Sequence, residues 1–358
     1  MDKENLIIKP FLNELNGDDG AVLKMLGKWC FSKDLFFEDV HFKRGWLSYE
    51  QIATKSLLVN ISDAIVMNAV PKYALLGLAL PKDLSNSDIK ALQRGFLKTA
   101  RDFKIKIIGG DTISADKIAL SITLISKIRK KAIYRKGLKK GDLLAFTGSL
   151  GESLRGLKIL QEYENSQDNI NSKDLRLDAL QDNENSLNSK ALSLENLQDD
   201  MSLKDLNSKN SQASLNLKKI QAKISSNIDL KDKKNSQNPT KLPPTHRFIR
   251  PSLRAEFFYK IASKVSCAMD LSDGLGQDLA RMLSLNKLGV KWLVNLSEDE
   301  LNSGEEYEIL FAFAPKHKEF ILQNAKKFDI RLTIFGKAKP IKKQEDKYKF
   351  KGKSWHFE

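Results

Sequence analysis

The stretch Ser48–Leu80, SYEQIATKSLLVNISDAIVMNAVPKYALLGLAL, decides the fold class. Its opening, Ser48-Tyr-Glu-Gln51, has the spacing of a capping box, in which serine and glutamine satisfy free N–H groups at a helix start. Ile52, Val59, Ile65 and Val66 then recur at helical intervals. Tyr73–Leu80 is instead a short β-rich run after a proline and reads as a strand. The apolar stretch from Leu57 to Leu80 is broken by Asn60, Asp63, Asn68 and Lys72, so no membrane span remains. Outward from it, Ile105–Ile108, Ile118–Ile125 and Leu143–Thr147 read as strands, and Asp88 to Asp102 as a helix. Towards the C-terminus come a helical pattern from Pro251 to Lys264, a strand at Val265–Met269, a helix at Leu275–Asn286 and a strand at Tyr307–Phe313. Helices and strands mixed without strict alternation make an α+β chain.

The chain has 358 residues, which suits about two domains of roughly 150 residues each. Sixty Lys and Arg against 45 Asp and Glu leave a charge of +15, which suits anionic ligands without choosing among nucleotides, phosphates and nucleic acid. Cys30 and Cys267 are the only cysteines, which excludes a disulfide framework and an all-cysteine metal site. The opening MDKENLIIKPF lacks the apolar core of a secretory signal, and the expected location is cytoplasmic.

Composition divides the chain into residues 1–160, 161–246 and 247–358. No Phe, Trp or Tyr lies between Tyr163 and Phe248, and the triplet Asn-Ser-Lys recurs at Asn171, Asn188 and Asn207. The uneven spacing argues against a stacked repeat. So few large apolar groups cannot offset the entropy of ordering, and 161–246 is expected to be a disordered insert. Loop closure costs only about 0.6 kcal/mol per doubling of length, so a surface turn can carry it.

The chemistry-bearing residues are acids beside small residues at the ends of apolar runs. They occur in Asn16-Gly-Asp-Asp-Gly-Ala21, in Ser32-Lys-Asp34, in Asn60-Ile-Ser-Asp63, in Gly109-Gly-Asp-Thr112, in Asp270-Leu-Ser-Asp-Gly274 and in Gly304-Glu-Glu-Tyr-Glu308. Singly, such groups make turns and helix caps. Asp63 is different, because Ile61, Ala64 and Ile65 surround it and a buried carboxylate needs a partner. Several converging acids repel one another unless cations lie between them. Oxygen donors with few His or Cys select hard cations such as Mg²⁺, which bridge carboxylates and nucleotide phosphates. Neither a Walker A motif nor G-x-G-x-x-G is present, which disfavours P-loop and Rossmann readings.

The order of these motifs resembles the thiamine-monophosphate kinases, a family of the aminoimidazole ribonucleotide synthetase-like superfamily. The resemblance runs through GDDGAV (17–22), SKDLFFEDVHF (32–42), NISDAIVMNAVP (60–71), GGDT (109–112) and RKGLKKGD (135–142). It continues through TGSLGESLRGL (147–157), RPSLR (250–254), DLSDGLGQDL (270–279) and SGEEYEILF (303–311). It implies a two-domain α+β fold, with an N-terminal ATP/Mg-binding domain, a C-terminal α+β domain and the insert between them. It also implies transfer of the ATP γ-phosphate to thiamine monophosphate with several Mg²⁺ ions, in a homodimer joined through the N-terminal sheets. Carried over by motif, Asp19, Asp34, Asp63, Asp111, Asp270 and Asp273 would be magnesium ligands, with Ser32 assisting. Gly110, Asp111, Arg135 and Ser272 would contact ATP. His41, Glu305 or Glu306, and Trp355 would face the thiamine-phosphate substrate.

Metal-assisted, in-line transfer to a phosphate oxygen already ionised at neutral pH needs no covalent or general-base residue. The sequence departs from the family pattern at Lys33, whose ammonium could oppose or replace a cation, and at Gly20, Asn68, Val70 and Glu306. The nearest rival is another ATP-using member of the superfamily, making an aminoimidazole or a selenium product, of which a selenophosphate synthetase would use a reactive Cys with a nearby Lys. Cys30 with Lys28 and Lys33 matches only superficially, since it follows the GDD motif and lacks a glycine-rich setting. A nucleic-acid-binding protein would interleave basic and aromatic residues on one face, whereas here the basic residues are scattered and Lys127–Lys131 is their densest run. No nucleic-acid or membrane partner is expected.

Overall fold

The structure, a computed structural model, describes residues 3–15, 21–166, 242–243 and 246–341. Contacts divide the chain into a unit of Met1–Leu160 with Thr240–Glu358, and a unit of Gln161–Pro239. In the second unit the description covers 161–166, where the backbone is helical. The expected disorder of the insert lies outside the described residues.

The first unit carries two sheets. Sheet one has the order β1-β4-β2-β3, from β1 (Trp29–Phe37), β2 (Ala69–Leu80), β3 (Lys106–Ser114) and β4 (Ala119–Ile128). Only β2 and β3 run parallel, and the helix α3 (Asn86–Phe103) makes their crossover, as a parallel pair requires. A short α1 (Lys3–Ile8) precedes β1. Sheet two is antiparallel throughout, in the order β6-β8-β5-β9-β7. Its strands are β5 (Leu143–Thr147), β6 (Val265–Asp270), β7 (Leu288–Trp292), β8 (Ile309–Phe313) and β9 (Leu332–Pro340). Thus β5, which precedes the inserted segment, pairs with strands that follow it.

The helix α2 (Tyr49–Val66) starts with the expected capping box, the Gln51 N–H donating to the Ser48 hydroxyl and the Ser48 N–H to the Gln51 side chain. It is not a one-sided surface helix. Thr54, Lys55, Ser56, Asn60 and Ser62 are buried along with its apolar residues, because elements of both sheets pack around it. β8 is buried at all five positions for a similar reason. Phe311 and Phe313 join the core shared with α2, while Leu310 and Ala312 face a second core under α5 (Leu275–Asn286). Further helices among the described residues include one that starts at residue 152, α4 (Ala255–Ile261), α6 (Glu298–Asn302) and α7 (Lys318–Lys327).

Candidate active site

Alternation along β1 sets Ser32, Asp34 and Phe36 on the inner face of sheet one, towards α2. The Ser32 hydroxyl donates to Asn60 Oδ1 at 2.7 Å, and Asn60 Nδ2 donates to the Ile122 carbonyl at 2.7 Å. Asp63 is one helical turn beyond Asn60 on the same face of α2. From sheet two, β6 ends at Asp270, whose Oδ2 accepts from the Ser62 hydroxyl at 2.8 Å. Strands and helix thereby bring Asp34, Asp63, Asp270 and Asp273 to one cleft of about 280 Å³, with Arg135, Ser272 and His41 also on its walls.

The loop after β6 is held from two sides. Gly274 has φ 101°, and a Cβ there would approach the Leu301 carbonyl to 3.1 Å, so the turn into α5 needs glycine. Asp278, on the first turn of α5, accepts from the Ser272 and Asp273 N–H groups at 3.1 Å each. Arg281 pairs with both Asp273 and Asp278. On the other side, the Glu305 N–H donates to the Ser272 carbonyl at 2.7 Å and the Tyr307 N–H to the Leu271 carbonyl at 2.8 Å. Tyr307, in a left-handed conformation at φ 51°, lines the cleft.

Burial raises the acids of the cleft together. Burial, then the negative charges of Asp270 and Asp34, push Asp63 up to about 8, with Arg135 opposing. Burial and Asp270 raise Asp34 to about 6. Asp270 is raised chiefly by burial, against the Ser62 hydrogen bond and Arg135. Neither Asp34 nor Asp63 has an ion-pair partner among the described residues. The donor set is all oxygen and fits magnesium, yet among the described residues no three His, Cys, Asp or Glu side chains could hold a metal ion together. The two facts agree if an ion takes one or two carboxylates and completes its shell with phosphate oxygens and water, as Mg²⁺ commonly does.

Other expected site residues stand elsewhere. Strand register aligns Asp34, Ile122, Leu76 and Gly110 in one row and Leu35, Ser121, Gly77 and Asp111 in the next. Asp111 therefore shares a face of sheet one with Leu35, opposite the Asp34 side chain; Leu35 borders the cleft, whereas Asp111, three strands away, is not among the cleft-lining residues. Gly110 has a local structural reason: a Cβ there would lie 1.9 Å from the Leu76 carbonyl oxygen. The GGDT segment lies inside β3 and does not end it. Lys33 points to the outer face and donates to the Ser121 hydroxyl at 2.6 Å, so its ammonium neither opposes nor replaces a cation in the cleft.

Both candidate substrate-side acids are buried and engaged. Glu305 pairs with the buried Lys55 at 2.9 Å. Glu306 accepts from the Gly151 and Ser153 N–H groups, the Ser303 hydroxyl and Arg247. His41 lies on the cleft wall and its Nδ1 accepts from the Phe37 N–H at 3.0 Å. Asp19 and Trp355 lie outside the described residues. Ser62, Asp278 and Tyr307 were not singled out from the sequence. Each sits inside a quoted motif, one to five residues from an acid that was.

With this geometry, the relatives become informative. The profile of the family AIR synthase related protein, N-terminal domain, matches residues 17–128. The thiamine-monophosphate kinase of Bacillus subtilis is 41% identical over 138 residues, 38% of this chain and 42% of that one. The curated thiamine-monophosphate kinases matched at 30% identity or more are covered over about half of their own length. Among solved structures, thiamine-monophosphate kinase from Stenotrophomonas maltophilia K279a aligns with a TM-score of 0.63 at 22% identity, over 94% of this chain and 92% of that one. The complex of AaThiL with AMPPCP and TMP aligns with a TM-score of 0.60 at 22% identity, over 100% of this chain and 99% of that one. This chain shares the two-sheet α+β fold of these solved structures, its residues 17–128 match the AIR synthase related N-terminal domain, and its sequence resembles the thiamine-monophosphate kinases.

Proposed function

We propose that the protein phosphorylates thiamine monophosphate with ATP and Mg²⁺, giving thiamine diphosphate and ADP for thiamine biosynthesis. The observation that carries this reading is the convergence of Asp34 from β1, Asp63 from α2, and Asp270 and Asp273 from the end of β6 and the loop after it, on a cleft that also presents Arg135. Two polyanions cannot approach such a cleft without cations, and a metal–nucleotide complex supplies them. The names of the relatives supply the acceptor.

In this reading Asp34, Asp63, Asp270 and Asp273 hold the magnesium ions, and Ser32 keeps Asn60 oriented beside them. Bound there, magnesium neutralises the charge that gathers on the phosphates during transfer. Arg135 and the Ser272 hydroxyl meet the nucleotide phosphates. His41, on the cleft wall, meets the acceptor phosphate. Asp278 positions the Ser272–Asp273 backbone and touches no reacting atom. The acceptor is an ionised phosphate oxygen, so positioning and charge neutralisation replace a general base. We further propose a cytoplasmic homodimer. Phe31 and Leu35, 62% and 61% exposed, lie on the outer face of β1, and Ile113 on β3 is 58% exposed, which is an apolar face suited to a second copy.

The test is to incubate the purified protein with ATP, Mg²⁺ and thiamine monophosphate and separate the products by chromatography. Equimolar thiamine diphosphate and ADP are expected. A folded, ATP-binding protein that forms no thiamine diphosphate would overturn the acceptor.

A further inference from the structure

Away from the acidic cleft, a second concavity of about 520 Å³ opens between the segment after β4 and α4. Arg129, Lys130, Lys131 and Lys260 line it, with Glu256 as the one acid. None of these four cations has an ion-pair partner among the described residues. Its floor is fixed by hydrogen bonds. The Arg129 N–H donates to the Asn68 carbonyl at 3.0 Å, and Asn68 Nδ2 donates to the Lys131 carbonyl at 2.8 Å. The Tyr259 hydroxyl donates to the Ala69 carbonyl at 2.6 Å, and the Arg129 guanidinium lies 4.7 Å from the centre of the Tyr259 ring.

A neighbouring hollow, also of about 520 Å³, shares Glu256, Tyr259 and Phe328 with the first. Val70, Pro71, Phe103, Leu253 and Ile330 share its wall with the charged Asp102, Lys104 and Arg254. The two form one groove with a cationic end, an end of mixed apolar and charged residues, and aromatic rings where they meet. Four gathered cations repel one another until an anion joins them. A phosphate group is compact enough to meet several at once, and a planar ring beside it would lie against Tyr259 and Phe328.

We propose that this groove binds a phosphorylated small molecule with a planar aromatic group, of the nucleotide class, at a site separate from the acidic cleft. Each hollow falls within the usual size of small-ligand pockets, about 300–1,000 Å³. The two sites differ in sign. The acidic cleft repels a nucleotide unless divalent cations are present, whereas the basic groove needs none.

Chelation therefore separates them. ADP binding is measured by equilibrium dialysis in EDTA at low salt, on the full chain. We expect one ADP bound to the wild type and, with equal affinity, to Asp63→Asn. Arg129→Ala/Lys131→Ala/Lys260→Ala should weaken it at least tenfold, and Lys130→Glu/Lys131→Glu, both on the exposed rim, should do the same without a change in thermal unfolding. Inorganic phosphate should bind at least tenfold more weakly than ADP. Absence of metal-free ADP binding, its persistence in the triple variant, or equal affinity for inorganic phosphate would each overturn the proposal. Because no turnover is read, failure here leaves the kinase reading standing, and failure of the kinase reading leaves this one standing.

Discussion

Asp63→Asn should make the metal-free protein more stable while abolishing its metal chemistry. Burial and the neighbouring acids raise Asp63 from 3.8 to about 8. Between those values the folded state binds a proton that the unfolded state has released, so stability falls as pH rises through this window. At about 1.4 kcal/mol per tenfold change in proton affinity, holding the ionised form at pH 9 costs on the order of 5 kcal/mol. Asparagine removes the charge but leaves an amide without a hydrogen-bonding partner, which takes back about 1–3 kcal/mol. The expected net gain is about 2–4 kcal/mol at pH 9, shrinking to within about 1 kcal/mol at pH 5, where the wild-type carboxyl is already neutral in the fold. Urea unfolding in EDTA at the two pH values measures it. A variant no more stable than wild type at pH 9, or a gain equal at both pH values, would refute the reasoning. With Mg²⁺ and a non-hydrolysable ATP analogue the order should reverse, because only the wild type gains ligand stabilisation.

Three other outcomes follow from the geometry. Lys55→Met strands the Glu305 carboxylate inside the protein and should cost about 3–5 kcal/mol in urea unfolding, whereas adding Glu305→Gln should restore most of it. Asp278→Ala frees two backbone N–H groups of the loop after β6 and should cost about 1–3 kcal/mol and raise the KM for ATP; Asp278→Asn, which keeps one acceptor oxygen, should recover part of both. If the composition-based expectation of a disordered insert holds, replacing residues 167–241 with about ten Gly and Ser residues should preserve activity and add roughly 2 kcal/mol, about three doublings of loop length at about 0.6 kcal/mol each. Glu306 grips Gly151 and Ser153 before that segment and Arg247 after it, so the joined ends keep their anchorage.

Local signals in the sequence were strong where the chain solves a local problem. The capping box at Ser48 and the helix Leu275–Asn286 agree with the structure, as does the strand Leu143–Thr147. β1 escaped because Ser32, Lys33 and Asp34 interrupt its apolar text, and its pairing with β4 is non-local. β9 escaped for a related reason, since Lys337 and Lys339 alternate with its buried residues. Motif order selected Asp34, Asp63, Asp270, Asp273, Arg135, Ser272 and His41, and all seven line one cleft. Register is what spacing could not supply. A one-residue step along a strand changes the face, which is why Asp111 stands opposite Asp34 and Lys33 faces away from the Asp34 side. Lys55 was invisible because a lysine in a helix is ordinarily solvated, and only the fold shows Glu305 and the Phe248 ring, 3.9 Å from its ammonium, around it.

The central claim is that acids from both sheets hold a metal–nucleotide complex together, and Mn²⁺ binding followed by electron paramagnetic resonance tests it most directly. For the wild type at pH 8.5 we predict weak binding alone and much tighter binding with a non-hydrolysable ATP analogue, both declining at pH 6.5 as protons reclaim Asp63 and Asp34. Asp63→Asn and Asp270→Asn should each lose the nucleotide-dependent binding. Nucleotide-dependent Mn²⁺ binding that is unchanged in both variants would contradict the claim.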